Sequence, residues 1–157
     1  MHFELLADRP QDVPVVARWC FDEWGHSIEG NTFEQTVERI SRKLNRDSAP
    51  LHVLAIEDGR PIGSAQLKIK ELHLCDAWEY WLGDVYVLPA HRGRGVASAI
   101  CRRVQAIAAS FGIHRLYLQT ERPGGGLYSR LGWNAVKEIQ RDGKLILIME
   151  LELEQPG

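Results

Sequence analysis

The chain is 157 residues long, 45% hydrophobic and 25% charged, with a net charge of −2; one domain over residues 1–157 with a sizeable core is expected. The near-neutral balance gives no reason to expect a nucleic-acid or membrane-surface partner, and no apolar stretch reaches the roughly 20 residues of a membrane helix. MHFELLADRP has no signal-peptide pattern, and Cys20, Cys75 and Cys101 suit neither a disulfide framework nor a metal, so a cytoplasmic protein is expected.

In chain order, residues 3–6 are predicted as a short strand. A helix is predicted after Asp12, with Pro14 in its first turn and Val15, Val16, Trp19 and Cys20 facing inward. Thr32 and Gln35 have capping-box spacing, and Phe33, Val37, Ile40 and Leu44 recur at helical intervals. The loop FDEWGHSIEGN separates these two helices. Residues 51–56 and 62–69 are predicted as strands joined by the turn EDGRP, and a third strand over 81–88 ends where Pro89 removes a ladder donor. From Val96, the residues Ile100, Val104, Ile107, Ala108 and Phe111 form one helical face that Gly112 closes. Residues 116–118 are strand-like, GGGLYSRLGW predicts a short helix stopped by Gly132, and residues 133–139 and 145–151 flank a second hairpin signal, QRDGK. Trp19, Trp81 and Trp133 are expected in the core. The central strand–helix–strand unit implies parallel strands and the hairpins imply antiparallel pairs, which together make a mixed sheet with helices on its faces.

The stretch LGDVYVLPAHRGRGVASAICRRV carries the strongest chemical signal. A helix that starts after a strand aims unpaired N–H groups and a partial positive charge at the open end of the sheet. Gly93 and Gly95 let a phosphate approach the backbone, Ala97 keeps the first turn narrow, and Arg92 and Arg94 add positive charge. Gly93 to Ser98 is close to the dinucleotide pattern G-x-G-x-x-G, but in that fold the first glycine follows its strand almost directly. Here four residues of PAHR intervene, and no Gly-Lys-Ser/Thr phosphate loop is present. On the residues alone, a diphosphate ligand, a nicotinamide dinucleotide and a plain glycine-containing helix entry all remain open.

Two motifs together resemble the GNAT family of N-acetyltransferases. Arg92-Gly-Arg-Gly95-Val-Ala97 after VYVLP is similar to its R/Q-x-x-G-x-G/A motif. Leu127-Tyr128-Ser-Arg-Leu-Gly132-Trp133, about thirty residues later, is similar to its second signature, F/L-Y-x-x-x-G-F/W. The resemblance implies an α/β (α+β type) fold, a mixed sheet of about six to seven strands with about four helices. It implies acetyl-CoA as co-substrate and no metal. The loop of Arg92, Gly93, Arg94, Gly95, Val96, Ala97 and Ser98 would hold the pyrophosphate. The strand at Val85, Tyr86 and Val87 would hydrogen-bond pantetheine in a gap between two splayed parallel strands, with one N–H polarising the thioester. Tyr128 falls at the family's general-acid position, where a hydroxyl near pKa 10 can protonate the departing thiolate.

For the base, Asp84 is a carboxylate inside an apolar strand, where leaving it unpaired is costly, and it can take an amine proton directly or through water. Glu79 is the alternative. Where some relatives carry a glutamate on the next strand this chain has Gln119. In the family, acceptor selectivity comes from the loop between the first two helices and from the segment joining the last two strands. Here that loop offers Asp22, Glu23 and Glu29 to a cationic amine, Trp24 to stack on its stem, and His26. The expected activity is transfer of acetyl from acetyl-CoA to a primary amine by direct attack, with a small-molecule acceptor. The alternatives are a protein N-terminus or lysine as acceptor, or an acetyl-CoA-binding module without turnover. A monomer or homodimer with no nucleic-acid or membrane partner is expected.

Overall fold

The computed structural model describes residues 1–156. Apolar runs become seven strands: β1 (His2–Leu5), β2 (Leu51–Glu57), β3 (Arg60–Ile69), β4 (Tyr80–Val87), β5 (Arg115–Thr120), β6 (Asn134–Arg141) and β7 (Lys144–Glu152). Segments with helical periodicity become α1 (Val13–Glu23), α2 (Phe33–Ser41), α3 (Val96–Ser110) and α4 (Leu127–Arg130). The strands form one sheet in the order β1-β2-β3-β4-β5-β7-β6, parallel at β4–β5 and antiparallel elsewhere. The expected strand and helix numbers hold.

Local chemistry accounts for the ends of these elements. In both Asp-Gly hairpins the two turn residues take positive φ, 53° and 75° at Asp58 and Gly59, and 52° and 76° at Asp142 and Gly143. That is the geometry whose twist matches paired strands. The capping box forms as expected, with Thr32 Oγ1 accepting from Gln35 N at 3.1 Å and Gln35 Oε1 accepting from Thr32 N at 3.0 Å.

Three apolar clusters hold the layers. On one face, α3 lays Ile100, Val104 and Ala108 on Leu51, Val53, Ala65, Leu67 and Leu82, all buried. On the other, α1 and α2 bring Val13, Val16, Trp19 and Ile40 onto Leu54 and Ile56. The third cluster joins Trp81, Tyr117, Ile146 and Ile148 beneath Leu72 and Trp78 of the β3–β4 connection. Trp19, Trp81 and Trp133 are core residues, as expected.

Three expectations need correction. Val15 is exposed, because α1 turns Val13, Val16 and Ala17 inward and Val15 lies outside that stripe. Leu44 packs on the second cluster from beyond the end of α2. The first strand covers His2–Leu5, and Leu6 is buried from a following single turn.

Candidate active site

The loop before α3 is built on left-handed glycines. Gly93 (φ 78°) and Gly95 (φ 79°) occupy conformations that strain other residues, and no atom lies within 4 Å of where either Cβ would sit. Gly95 is the N-cap and offers no side chain, so no side-chain cap blocks the first-turn N–H groups of Val96, Ala97 and Ser98. The flanking arginines are anchored. Arg92 Nε donates to Val87 O at 2.9 Å with its guanidinium 5.5 Å from the Tyr86 ring, and Arg94 pairs with Glu57 at 3.1 Å.

β4 leads into this loop, and its parallel partner leaves it early. β4 and β5 pair at one register position, Trp81 opposite Tyr117. Val85, Tyr86 and Val87 therefore continue with no strand on their β5 side, the splay that the family resemblance implies. On the β3 side the register shifts by one residue, so that Asp84 and Val85 share Ala65 as partner and Asp84 takes φ 51°. This bulge re-aims Asp84. Tyr86 stacks on Trp19 of α1 with centroids 5.2 Å apart.

Tyr128 stands in the first turn of α4, half-buried and edge-on to Trp133 at 6.4 Å. Its hydroxyl makes no hydrogen bond among the described residues. Burial pushes its pKa up, and nearby Glu71 adds to that, so the hydroxyl keeps its proton at neutral pH. The Cys20 and Cys101 thiols are likewise pushed up to about 12 by burial and stay protonated.

Asp84 belongs to a polar cluster that sequence reasoning missed. Lys68 Nζ lies 3.5 Å from both Asp84 oxygens and donates to Glu71 Oε1 at 2.7 Å. Burial works against the Lys68 charge, but Asp84 and Glu71 together outweigh it and its pKa is raised. Gly83 makes room for the pair, since a Cβ there would lie 2.6 Å from Lys68 Cδ and 3.1 Å from Glu71 Oε1. His52 is buried close by, its pKa pushed down to about 4 chiefly by burial, so it is neutral. The available signal was the polar residue at alternate positions of apolar strands: His52 in LHVLAIE, Gln66 and Lys68 in AQLKI.

The other expected site residues are not part of this cluster. Glu79 is exposed beside Phe111, Gly112 and Arg115, one residue before β4. Gln119 accepts a hydrogen bond from Arg141 at 2.8 Å. Glu23 and Trp24 are exposed at the end of α1, while His26 Nδ1 is 3.1 Å from Phe21 O and Asp22 pairs with Arg18 at 3.4 Å. None of Glu23, Trp24 and His26 bonds to Asp84, Lys68 or Glu71. The segment joining the last two strands is only the turn Asp142-Gly143, too short to wall a site. The long connection is residues 70–79, between β3 and β4. Among the described residues no group of three or more His, Cys, Asp or Glu could hold a metal ion, and no helix is long and apolar enough to cross a membrane.

The family model of the acetyltransferase (GNAT) family matches residues 14–133. Mycothiol acetyltransferase of Nocardiopsis dassonvillei is 33% identical over 109 residues, 69% of this chain and 31% of that protein. The chain thus spans about a third of the length of this curated relative. Among solved structures, an aminoglycoside 6'-N-acetyltransferase complexed with coenzyme A matches with TM-score 0.76 at 13% identity, covering 100% of both chains. Ribosomal-protein-alanine N-acetyltransferase from Brucella melitensis matches with TM-score 0.75 at 18% identity, over 98% of this chain and 100% of that one. At such identities the structural likeness establishes the fold. The sequence match over residues 14–133 establishes more: the chain belongs to the acetyltransferase (GNAT) family.

Proposed function

We propose that the protein transfers the acetyl group of acetyl-CoA to the primary amine of a small molecule by direct attack. One observation carries this reading. The uncapped entry of α3 at Gly95 follows a strand that has lost its parallel partner, so an anion site and an unpaired main-chain edge lie end to end. A diphosphate with an extended amide-bearing arm is the ligand that uses both.

On this reading, main-chain N–H groups of the 92–98 loop bind the diphosphate, and Val85, Tyr86 and Val87 hydrogen-bond the pantetheine arm. A strand N–H donates to the thioester oxygen, where negative charge grows as the amine attacks. Asp84 takes one proton from the acceptor's ammonium, directly or through water. The freed nitrogen pair forms the N–C bond, and the C–S bond breaks with its electron pair going to sulfur. Tyr128 gives that sulfur its hydroxyl proton and regains one from the new amide nitrogen through solvent. The scheme needs no metal. Glu23, Trp24 and His26 line the acceptor's approach, and the protein works in the cytoplasm as one domain, monomer or homodimer.

The fold shared over full length with an aminoglycoside acetyltransferase supports a small-molecule acceptor. A protein N-terminus is the second reading, supported by the similarly close match to ribosomal-protein-alanine N-acetyltransferase. The test is a thermal-shift measurement with acetyl-CoA, followed by thiol release with small amines, an alanyl peptide and no amine. Stabilisation by acetyl-CoA and turnover on a small amine are expected. No stabilisation overturns the reading, turnover on the peptide alone moves it to the second, and binding without turnover on any amine leaves a binding module.

A further inference from the structure

Across β2, β3 and β4, the face beneath α1 and α2 carries a row of polar atoms that lack partners. His52 stands directly opposite Gln66, and Gln66 directly opposite Gly83. His52 and Gln66 are 3% and 2% exposed, and the Nε2 atom of each has no hydrogen-bond partner among the described residues. Beside Gly83, Glu71 repeats the pattern. Its Oε1 is held by Lys68, while its Oε2 is shut off from solvent with no donor. A buried polar atom left unpaired costs free energy, and most such atoms in folded proteins have a partner. Three such atoms in one row leave bonding capacity that another molecule can complete.

The chemistry of the row says which molecule. A carboxylate oxygen only accepts, so Glu71 Oε2 lacks an N–H or O–H donor. Two carboxylates share the Lys68 ammonium, and Lys43, half-buried, forms no ion pair with either. A second ammonium supplies the missing donor and the missing charge together. Gln66 Nε2 is a donor without an acceptor, so the same molecule brings an oxygen. The Asp84 side chain is 29% exposed and that of Glu71 13%, so Asp84 is the more accessible of the two carboxylates. Glu71 is held in place by its own segment: Leu72 and Trp78 are packed in the third apolar cluster, and Lys70 N donates to Glu79 O at 2.6 Å.

We propose that Glu71 binds the ammonium group of the acceptor while Gln66 bonds a hydroxyl or carbonyl oxygen that the acceptor carries nearby. The 70–79 connection then forms the acceptor wall that the short β6–β7 turn cannot. This rests on the amine-acetylation reading above and adds the residue that selects the acceptor.

The test compares wild type with Glu71→Gln, which keeps shape and removes charge, and with Glu71→Asp, which keeps charge on a shorter stem. The probes are ethanolamine, glucosamine, alaninamide and n-butylamine, the last carrying no oxygen. In Glu71→Gln the KM for the best of these amines should rise about 10- to 100-fold, with kcat falling less and Glu71→Asp recovering part of the loss. Titrating that amine into the protein–CoA complex should show the same weakening without turnover. Gln66→Leu should erase the preference for ethanolamine over n-butylamine. Equal KM and equal binding in wild type and Glu71→Gln overturn the proposal, as does a fall in kcat alone. Acetyl-CoA binding on the same samples reports separately on the underlying reading: if it persists while the amine results fail, only the Glu71 assignment falls.

Discussion

The cradle before α3 and the polar cluster on the opposite face of β4 are two ways of making a site. The cradle is main chain. Its donors are N–H groups that any residue supplies, and what it needs is a backbone path that Gly93 and Gly95 permit. The cluster is side chain. Lys68, Glu71 and Asp84 come from two strands and a connection, and Lys68 holds Glu71 at 2.7 Å and Asp84 at 3.5 Å. At the cradle the space beyond Gly93 and Gly95 is open, with no atom within 4 Å of either Cβ position. The cluster tolerates no added atom at Gly83 because its own side chains already lie there. A generic, repeated ligand part suits the first construction, and a particular acceptor suits the second.

Among the proposed site residues, loss of the Tyr128 hydroxyl should have the largest effect. Tyr128→Phe deletes one hydroxyl and keeps the edge-on contact with Trp133. The kcat should fall about 10²- to 10⁴-fold while the KM for acetyl-CoA moves little, as steady-state kinetics would show. Full retained rate would make Tyr128 a core residue only.

The cluster's dependence on burial can be isolated by pH. His52 has its pKa pushed down to about 4 from 6.5. Between these values the unfolded chain binds a proton that the folded protein refuses, so stability falls as pH falls. By pH 4 the loss should reach about 3 kcal/mol, read by urea unfolding at pH 7 and pH 4, and His52→Gln should remove that component. An unchanged pH profile in the variant would mean that His52 is not held neutral by the fold.

The cradle is broken instead by a Cβ. Gly95→Val forces a branched residue to φ near 79°, at a cost of about 1–2 kcal/mol, and blocks the phosphate approach. Acetyl-CoA binding measured by calorimetry should weaken about 10- to 100-fold, the loss of one or two charge-assisted hydrogen bonds, with the fold retained. Unchanged binding would rule out the loop as the diphosphate site.

This contrast also explains what could be read from the chain. The Asp-Gly turns, the Thr32–Gln35 capping box, the periodicity of α3 and the glycines before it are local features, each complete within a few residues. The sheet and the cradle were legible for that reason. Glu71 was not, because nothing in KELHLCDAWE distinguishes it from a solvated loop acid. It becomes a site residue only when Leu72 and Trp78 pin the segment and the bare backbone at Gly83 admits it. Asp84 stands out in the sequence as a carboxylate in an apolar strand, but the bulge that turns it depends on the β3 register. Val15 failed because hydrophobicity alone does not tell which side of a short helix meets the sheet.

The single pairing position between β4 and β5 has a consequence for cooperativity. Main-chain bonding divides the sheet into β1–β4 and β5–β7, stitched at Trp81 and Tyr117 and otherwise joined through side chains of the layer beneath α3 and of the third apolar cluster. Each part is an antiparallel unit that can open with partial independence, and the amides of β4 beyond Trp81 sit on the seam. A ligand arm laid along that seam adds the missing rungs. Substrate binding would then act as a structural rivet, fusing two foldons into one and slowing amide exchange in strands that the ligand never touches.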